Sequence, residues 1–365
     1  MTENLEKNTS SKVTCPAYAD DQAAFGSWLL EVKSAVETRL GEVLDASVAH
    51  AGSHGGDVGA MVEAARSLAL RGGKRFRAAL LVAAYVACGG TNVSDVVSAG
   101  VGLELLQTYF LVHDDWMDED EVRRGGPTVH MLLAGRFGGP RIGEMSAILA
   151  GDFLVAASLR ALLDTTCRPN AVLAASREFA RMQEDVVFGQ LLDIRGAARS
   201  MADVEAMHAL KTGSYTVRGP LLMGACLAEA SSAQRDGLGR FAAPLGVAFQ
   251  LRDDLLGAFG DSSVTGKPVG NDFRQGKRTA LIAELAADVD ADALVERVLG
   301  RADASSADIE ALLVRLVESG ARARVERRLA DLVDEAAGCL DGIELTSRGR
   351  TLLRGAASLL VERAV

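Results

Sequence analysis

The chain has 365 residues, 48% of them hydrophobic and only 5% aromatic, enough for one large core or two modest ones. Its formal charge of −10, with no long Lys/Arg run, argues against a nucleic-acid partner. The five cysteines, Cys15, Cys88, Cys167, Cys226 and Cys339, are scattered and form no CxxC pair, which excludes zinc-ribbon and dithiol chemistry and favours reduced thiols in a cytoplasmic setting.

Residues 1–20 are polar and of mixed charge; they lack the apolar segment of a secretory signal and read as a mobile tail. Leu29, Val32, Val36, Leu40 and Val43 recur at helical spacing and predict a helix over 25–44. AGSHGGD at 51–57 reads as a loop, and helices follow over 61–70 and 76–88, the second ended by Gly89-Gly90. The longest unbroken apolar run, Ala78 to Cys88, is too short to span a membrane, so no membrane insertion is expected. Caps at Asn92–Ser94 open a helix over 96–117, and a Gly- and Pro-containing break covers 119–143. Helices are then expected over 144–165, 170–195, 202–228 and 232–259. A Gly-, Ser- and Asp-rich loop at 260–276 follows, then helices over 278–298, 306–319, 320–341 and 346–363. Strand alternation, fixed-period repeats and long linkers are lacking. The expectation is a single all-α domain over 21–365, with its glycine-rich loops at helix ends on one side.

Acidic residues gather at the ends of two of these helices. Gln107, Leu111, Asp114 and Asp118 share one face of the 96–117 helix, and carboxylates four residues apart lie about 5–6 Å apart at Cβ. Such a pair suits Mg²⁺, which takes oxygen ligands and keeps waters for substrate phosphates to replace. A DDxxD pattern by itself also arises by chance, as an acidic last turn running into solvent. Acid at a helix C-terminus opposes the macrodipole, however, so it carries a cost that asks for a purpose. A second pair, Asp253-Asp254, follows Gln250 near the end of the 232–259 helix. Two such ends facing each other make a negative cavity that needs divalent metal.

The basic residues come as short clusters: Gly72-Gly73-Lys74-Arg75-Phe76-Arg77, Arg123-Arg124-Gly125-Gly126, Lys211-Thr212, and Lys267 and Lys277 flanking Asp272. Singly each is an ordinary solvated side chain. Together with two acidic pairs they suit a polyanion bridged by metal, such as a diphosphate. His113 and His130 stand alone and read as helix or loop residues rather than ligands.

With these motifs in order, the chain resembles the trans-isoprenyl diphosphate synthase (polyprenyl synthetase) family from Gly72 to Thr279. The resemblance is carried by GGKRFR (72–77), HDDWMDED (113–120) with RRGGPTVH (123–130), KTGSYT (211–216), FQLRDD (249–254) and TGKPVGNDFRQGKRT (265–279). It departs from the family where the second DDxxD ends in Gly257. The resemblance implies a helical bundle around a deep cavity, usually a homodimer, with three Mg²⁺ ions. It implies that Asp114, Asp115, Asp118, Asp253 and Asp254 form the metal site, with Asp253 the main ligand of its pair. Arg123, Lys211 and Lys267 would meet the allylic diphosphate, Lys74, Arg77, Gln107 and Arg124 isopentenyl diphosphate, and Lys277 would also bind substrate. Lys211, Thr212 and Gln250 would face the reacting carbons. Tyr109 and Phe110, just below Asp114, would form the floor that limits product length. This favours farnesyl diphosphate, with geranylgeranyl diphosphate as the alternative. A terpene cyclase or a head-to-head synthase would not need GGKRFR and RRGG, and a non-catalytic partner subunit would have lost more than one carboxylate.

Overall fold

The computed structural model describes residues 19–198, 200–260, 270–286 and 291–362. The expected tail lies outside the described residues up to position 18, and so does Lys267. The fold is all-α. Helix α1 (Ala19–Gly52) starts earlier and ends later than its apolar spacing predicts, with Asp20 and Asp21 in its first turn and His50 in its last, charges that complement the helix dipole. The expected loop after it shrinks to a turn, and α2 (Gly56–Leu70) follows at once. Next come α3 (Phe76–Ala87), a 3₁₀ turn (Val93–Val96) and α4 (Val97–Met117).

The break expected over 119–143 is structured. It holds a short hairpin, β1 (Val122–Arg123) against β2 (Gly126–Pro127), and then α5 (Val129–Phe137). Val129 and Leu133 of α5 are buried at helical spacing, a signal hidden in the sequence by the glycines and prolines around it. Gly138, at φ 88°, closes α5, and Pro140 opens α6 (Pro140–Leu163) at a position where a missing N–H costs nothing. Helix α7 (Pro169–Ile194) follows.

The single helix expected over 202–228 is three segments in sequence: α8 (Met201–His208), a π-helical stretch (Ala209–Arg218) and α9 (Gly219–Leu227). Pro220 lacks the N–H that would bond Thr216 in a regular α-helix, and such widened turns recur at functional sites. Then come α10 (Ser232–Phe259), α11 (Asn271–Arg274), α12 (Ala280–Leu285), α13 (Asp292–Val298), α14 (Ser306–Glu318), α15 (Ala321–Cys339) and α16 (Ser347–Glu362).

Helix α4 packs along α6, α3 along α9, α1 along α16 and α10 along α15. The main core is built on α1, α3, α4, α6 and α9, and a second one joins the end of α10 to α12, α14 and α15. The segments Val93–Met117 and Pro140–Leu163 are long and apolar enough to cross a membrane by composition; here they pack against each other in the bundle. Cys88, Cys167, Cys226 and Cys339 are free thiols.

Candidate active site

Consecutive residues on an α-helix point about 100° apart, and this separates the members of each Asp-Asp pair. At the end of α4, Asp114 and Asp118 are half-buried and face other polar groups. Gln190 Nε2 donates to Asp114 Oδ1 at 3.1 Å, and Lys211 Nζ lies 3.8 Å from the same oxygen. Lys277 Nζ donates to Asp118 Oδ2 at 3.1 Å and lies 3.6 Å from Asp272. Asp115 points the other way and is fully buried. It accepts from Arg123 Nε at 2.6 Å, and Arg123 also reaches Asp120 at 3.2 Å. Burial pushes the Asp115 carboxyl up to about 6, against the pull of Arg123.

The second pair divides in the same way. Asp253 is open to solvent but is crowded by surrounding chain. That crowding pushes its carboxyl up to about 7; the positive charge of Arg252 opposes the rise and the negative charge of Asp254 adds to it. Asp254 is buried. It accepts from Gln250 Nε2 and from the Ala280 backbone N–H, both at 3.1 Å, with His208 Nε2 at 3.7 Å. In this structure Asp115 Oδ1 faces Arg123, and the Asp254 carboxylate faces Gln250 and α12, so both brace the helix ends whose neighbours face outward.

Lys211 and Thr212 lie on the π-helical stretch. Lys211 Nζ donates to Asp193 Oδ2 at 2.5 Å, and Thr212 Oγ1 donates to Gln250 Oε1 at 2.7 Å. Thr212, Gln250, Asp254 and the Ala280 N–H thus form one chain of hydrogen bonds. The close approach depends on two glycine contacts. A Cβ on Gly189 would meet the Lys211 backbone nitrogen at 2.3 Å, and one on Gly246 would meet the Gly213 Cα at 2.6 Å. Gly189, Gln190 and Asp193 of α7 were missed by sequence reasoning. Their signal is FGQLLD (188–193), where polar Gln190 and Asp193 share a face of an otherwise apolar segment.

The basic residues of the first motif line a separate cavity of about 110 Å³. Lys74, Arg77, Gln107 and Arg124 surround it with Phe249 and Leu360. Arg77 Nη2 donates to Thr216 Oγ1 at 2.8 Å and its guanidinium lies 4.3 Å from the Tyr215 ring centroid. Arg124 Nη1 donates to the Gly72 carbonyl at 3.2 Å, which ties the β1–β2 hairpin to the glycine turn. Crowding by the protein, and after it the nearby Arg75 charge, lower the Arg124 pKa. Arg71 secures the hairpin by donating to the Arg123 and Pro127 carbonyls at 3.2 and 2.8 Å. Arg75 turns inward to pair with Glu104 at 3.1 Å and Glu37 at 3.2 Å.

Below Asp114, the Tyr109 and Phe110 rings are 5.0 Å apart, and Phe110 meets Tyr215 at 5.2 Å. His113 meets the Tyr109 ring edge-on and contacts the Ile148 carbonyl at 3.3 Å, while His130 contacts Thr128 Oγ1 at 3.3 Å. Both histidines are thus engaged by neighbours other than the acidic clusters.

Among the described residues no three acidic, histidine or cysteine side chains already converge on one point. The oxygen-only donor set of Asp114, Asp118 and Asp253 nevertheless fits Mg²⁺. Asp253 is open to solvent near the end of α10, where a divalent cation carrying substrate phosphates can reach its carboxylate.

The sequence profile of the polyprenyl synthetase family matches residues 59–316. The chain is 32% identical over 305 residues to the geranylfarnesyl diphosphate synthase of Aeropyrum pernix, covering 80% of this chain and 91% of that one. It is 33% identical over 271 residues to the farnesyl diphosphate synthase of Geobacillus stearothermophilus, covering 71% and 84%. Its fold is similar to the crystal structure of geranylgeranyl pyrophosphate synthase from Corynebacterium glutamicum, complexed with isoprenyl diphosphate and magnesium. The TM-score is 0.85 at 33% identity, over 91% of this chain and 99% of that one.

Proposed function

The chain belongs to the polyprenyl synthetase family and is a short-chain trans-prenyl diphosphate synthase, a prenyltransferase; from that premise we propose that it condenses isopentenyl diphosphate with dimethylallyl and geranyl diphosphates, giving mainly farnesyl diphosphate. The observation that carries this reading is the pairing of two unlike anion sites. One is acidic and suited to metal, between the ends of α4 and α10; the other is the basic cavity of Lys74, Arg77, Gln107 and Arg124. A donor diphosphate and an acceptor diphosphate need two such sites side by side.

Asp114, Asp118 and Asp253 would hold Mg²⁺, three ions per site. When bound, the metal neutralises the leaving diphosphate so that the allylic C–O bond can ionise. Lys211 and Lys277, already set against Asp114 and Asp118, supply further positive charge to the departing group, with Arg123 and Lys267. The basic cavity orients isopentenyl diphosphate so that its double bond attacks the allylic cation. Thr212 and Gln250, locked together by their hydrogen bond, present oxygens beside the reacting carbons. Walls of packed helices keep water from the cation. A proton leaves the condensed product, with the released diphosphate as its acceptor, and restores a double bond.

The product length follows from the aromatic cluster. Tyr109 and Phe110 lie about one helical turn below Asp114, and the Tyr215 ring widens the barrier. The working form is a homodimer in a cytoplasmic setting. Leu149, Leu159 and Leu163 of α6 and Leu173, Phe188 and Leu191 of α7 are exposed, an apolar surface that a second copy would cover. The test is purified protein with Mg²⁺, isopentenyl diphosphate and each allylic primer in turn, with products resolved by length. Farnesyl diphosphate as end product supports the whole reading. A longer product overturns the aromatic floor, and no condensation with any primer overturns catalysis by this chain alone.

A further inference from the structure

Two of the basic motifs grip each other, and the grip is built around a glycine. Arg71 ends α2 at the start of the glycine turn, and it is half-buried. Its Nε donates to the Ser67 carbonyl at 3.3 Å and its Nη2 to Ser67 Oγ at 3.4 Å, as a basic residue at a helix C-terminus can. Its Nη1 reaches across to the hairpin and donates to the Arg123 carbonyl on β1 and the Pro127 carbonyl on β2. One guanidinium thus joins α2 to both strands, which its rigid, planar set of donors allows.

Gly126 pairs with Arg123 across the hairpin and lies against this bridge. A Cβ on Gly126 would stand 2.6 Å from Arg71 Nη1, 3.1 Å from Cζ and 3.4 Å from Cδ. Gly126 has no positive φ, so space and not backbone conformation calls for glycine. Swinging the Arg71 side chain aside would break the hydrogen bonds that hold it on Ser67, Arg123 and Pro127.

Arg124 closes the grip from the other side. It sits at φ 51°, a left-handed conformation that is costly for a residue with a side chain. Its Nη1 donates to the carbonyl of Gly72, the residue after Arg71, and its side chain lines the acceptor cavity with Lys74 and Arg77. Arg123, beside it, has anchors of its own on Asp115 and Asp120 at the donor end. The hairpin therefore carries one arginine to each anion site.

We propose that Arg71, lying across Gly126, is a positioning residue for the condensation: it sets the hairpin against the glycine turn, and so fixes Arg124 in the acceptor cavity and the spacing of the two diphosphate sites. The proposal rests on the diphosphate-synthase reading above. Arg71 acts through Arg124 and not on substrate. Spacing matters because attack needs the reacting carbons about 3–3.5 Å apart, and a diphosphate displaced in its cavity carries its carbon with it.

The experiment is steady-state kinetics of the full chain, with isopentenyl diphosphate varied against a saturating allylic primer and then the reverse. Arg71→Met is expected to raise the KM for isopentenyl diphosphate about tenfold. The KM for the primer should change less than about threefold, because Arg123 keeps its carboxylate anchors. Arg71→Lys keeps the charge but loses the planar fork, and should show the same selective rise. Gly126→Ala should raise the same KM by pushing Arg71 off the hairpin. Added to Arg71→Met it should change little, leaving the double variant within about threefold of Arg71→Met alone. A parental KM in Arg71→Met would overturn the proposal. So would a parental KM in Arg71→Lys, which would assign the effect to charge. Equal rises in both KM values, or substitutions that add in full, would show a generally loosened site and overturn it too. If the parent condensed isopentenyl diphosphate with no primer, the diphosphate-synthase reading would fall and this proposal with it, so the two failures are distinguishable.

Discussion

Replacing Arg75 by methionine tests the claim that the middle of GGKRFR is structural while its flanks bind substrate. The Arg75 and Glu104 side chains are each only 2% exposed. Arg75 also donates to the Ala69 carbonyl at 3.0 Å, and Glu104 Oε1 has no hydrogen-bond partner in the structure. Removing Arg75 therefore leaves the Glu104 carboxylate buried without its cation. Breaking a buried pair from one side costs about 3–5 kcal/mol. With about 2.1 cal/mol/K of unfolding entropy per residue, a chain of this length should lose about 4–7 °C in Tm. Glu104→Met added to Arg75→Met should recover most of that loss, because replacing both partners by apolar groups of similar size is close to neutral. Calorimetry of the two single variants, the double variant and the parent closes the cycle. An Arg75→Met protein that melts with the parent, or a double variant that melts below either single one, would refute the buried-pair argument.

Four other outcomes follow from the same geometry. Lys74→Ala or Arg77→Ala should each remove a charge-assisted contact worth about 1.5–3 kcal/mol; the KM for isopentenyl diphosphate should rise about 10–150-fold, while Lys74→Ala leaves Tm close to parental. Asp114→Asn and Asp118→Asn should each lower kcat about 10²–10³-fold, measured at saturating substrate and several Mg²⁺ concentrations. Chelation with EDTA should abolish turnover, and Mg²⁺ should restore it without refolding, because Asp114, Asp118 and Asp253 lie outside the hydrophobic cores. Phe110→Ala, and more so Tyr109→Ala with Phe110→Ala, should lengthen the product by at least one isoprene unit in chromatography of the dephosphorylated alcohols; an unchanged length would remove the floor from the mechanism.

Most of the helices were legible because their apolar residues repeat at 3.6-residue spacing, as Leu29, Val32, Val36 and Leu40 do in α1, where all four are buried. Helix α5 was not, because Gly125, Gly126, Gly138 and Gly139 around it look like a loop at the level of local propensity. Tertiary packing of α5 on α6 decides otherwise. The π-helical stretch was also out of reach: its sequence fits an α-helix until Gly213 is seen against Gly246. Lys74, Arg77, Gln107 and Arg124, placed together through the family resemblance, do meet around one cavity. The roles of Gln190 and Asp193 were hidden for a simpler reason. Their partners, Asp114 and Lys211, are distant in sequence, and no spacing rule reaches that far.

The doubled aspartates show why a motif letter and a chemical role are different things. On a helix that ends at a cavity, two adjacent acids must point to different surroundings. Asp114 faces Gln190 and Lys211, whereas Asp115 is sealed against Arg123. Asp253 is open, whereas Asp254 anchors Gln250 and the start of α12. The inner acid of each pair fixes the position of the outer one, because its hydrogen bonds tie the last turns of α4 and α10 to β1 and to α12. Removing an inner acid should therefore loosen the metal site without removing a ligand from it. An inner-acid variant would bind metal more weakly, yet keep the parental number of bound ions. An outer-acid variant would lose ions outright, and that difference in stoichiometry separates a brace from a ligand.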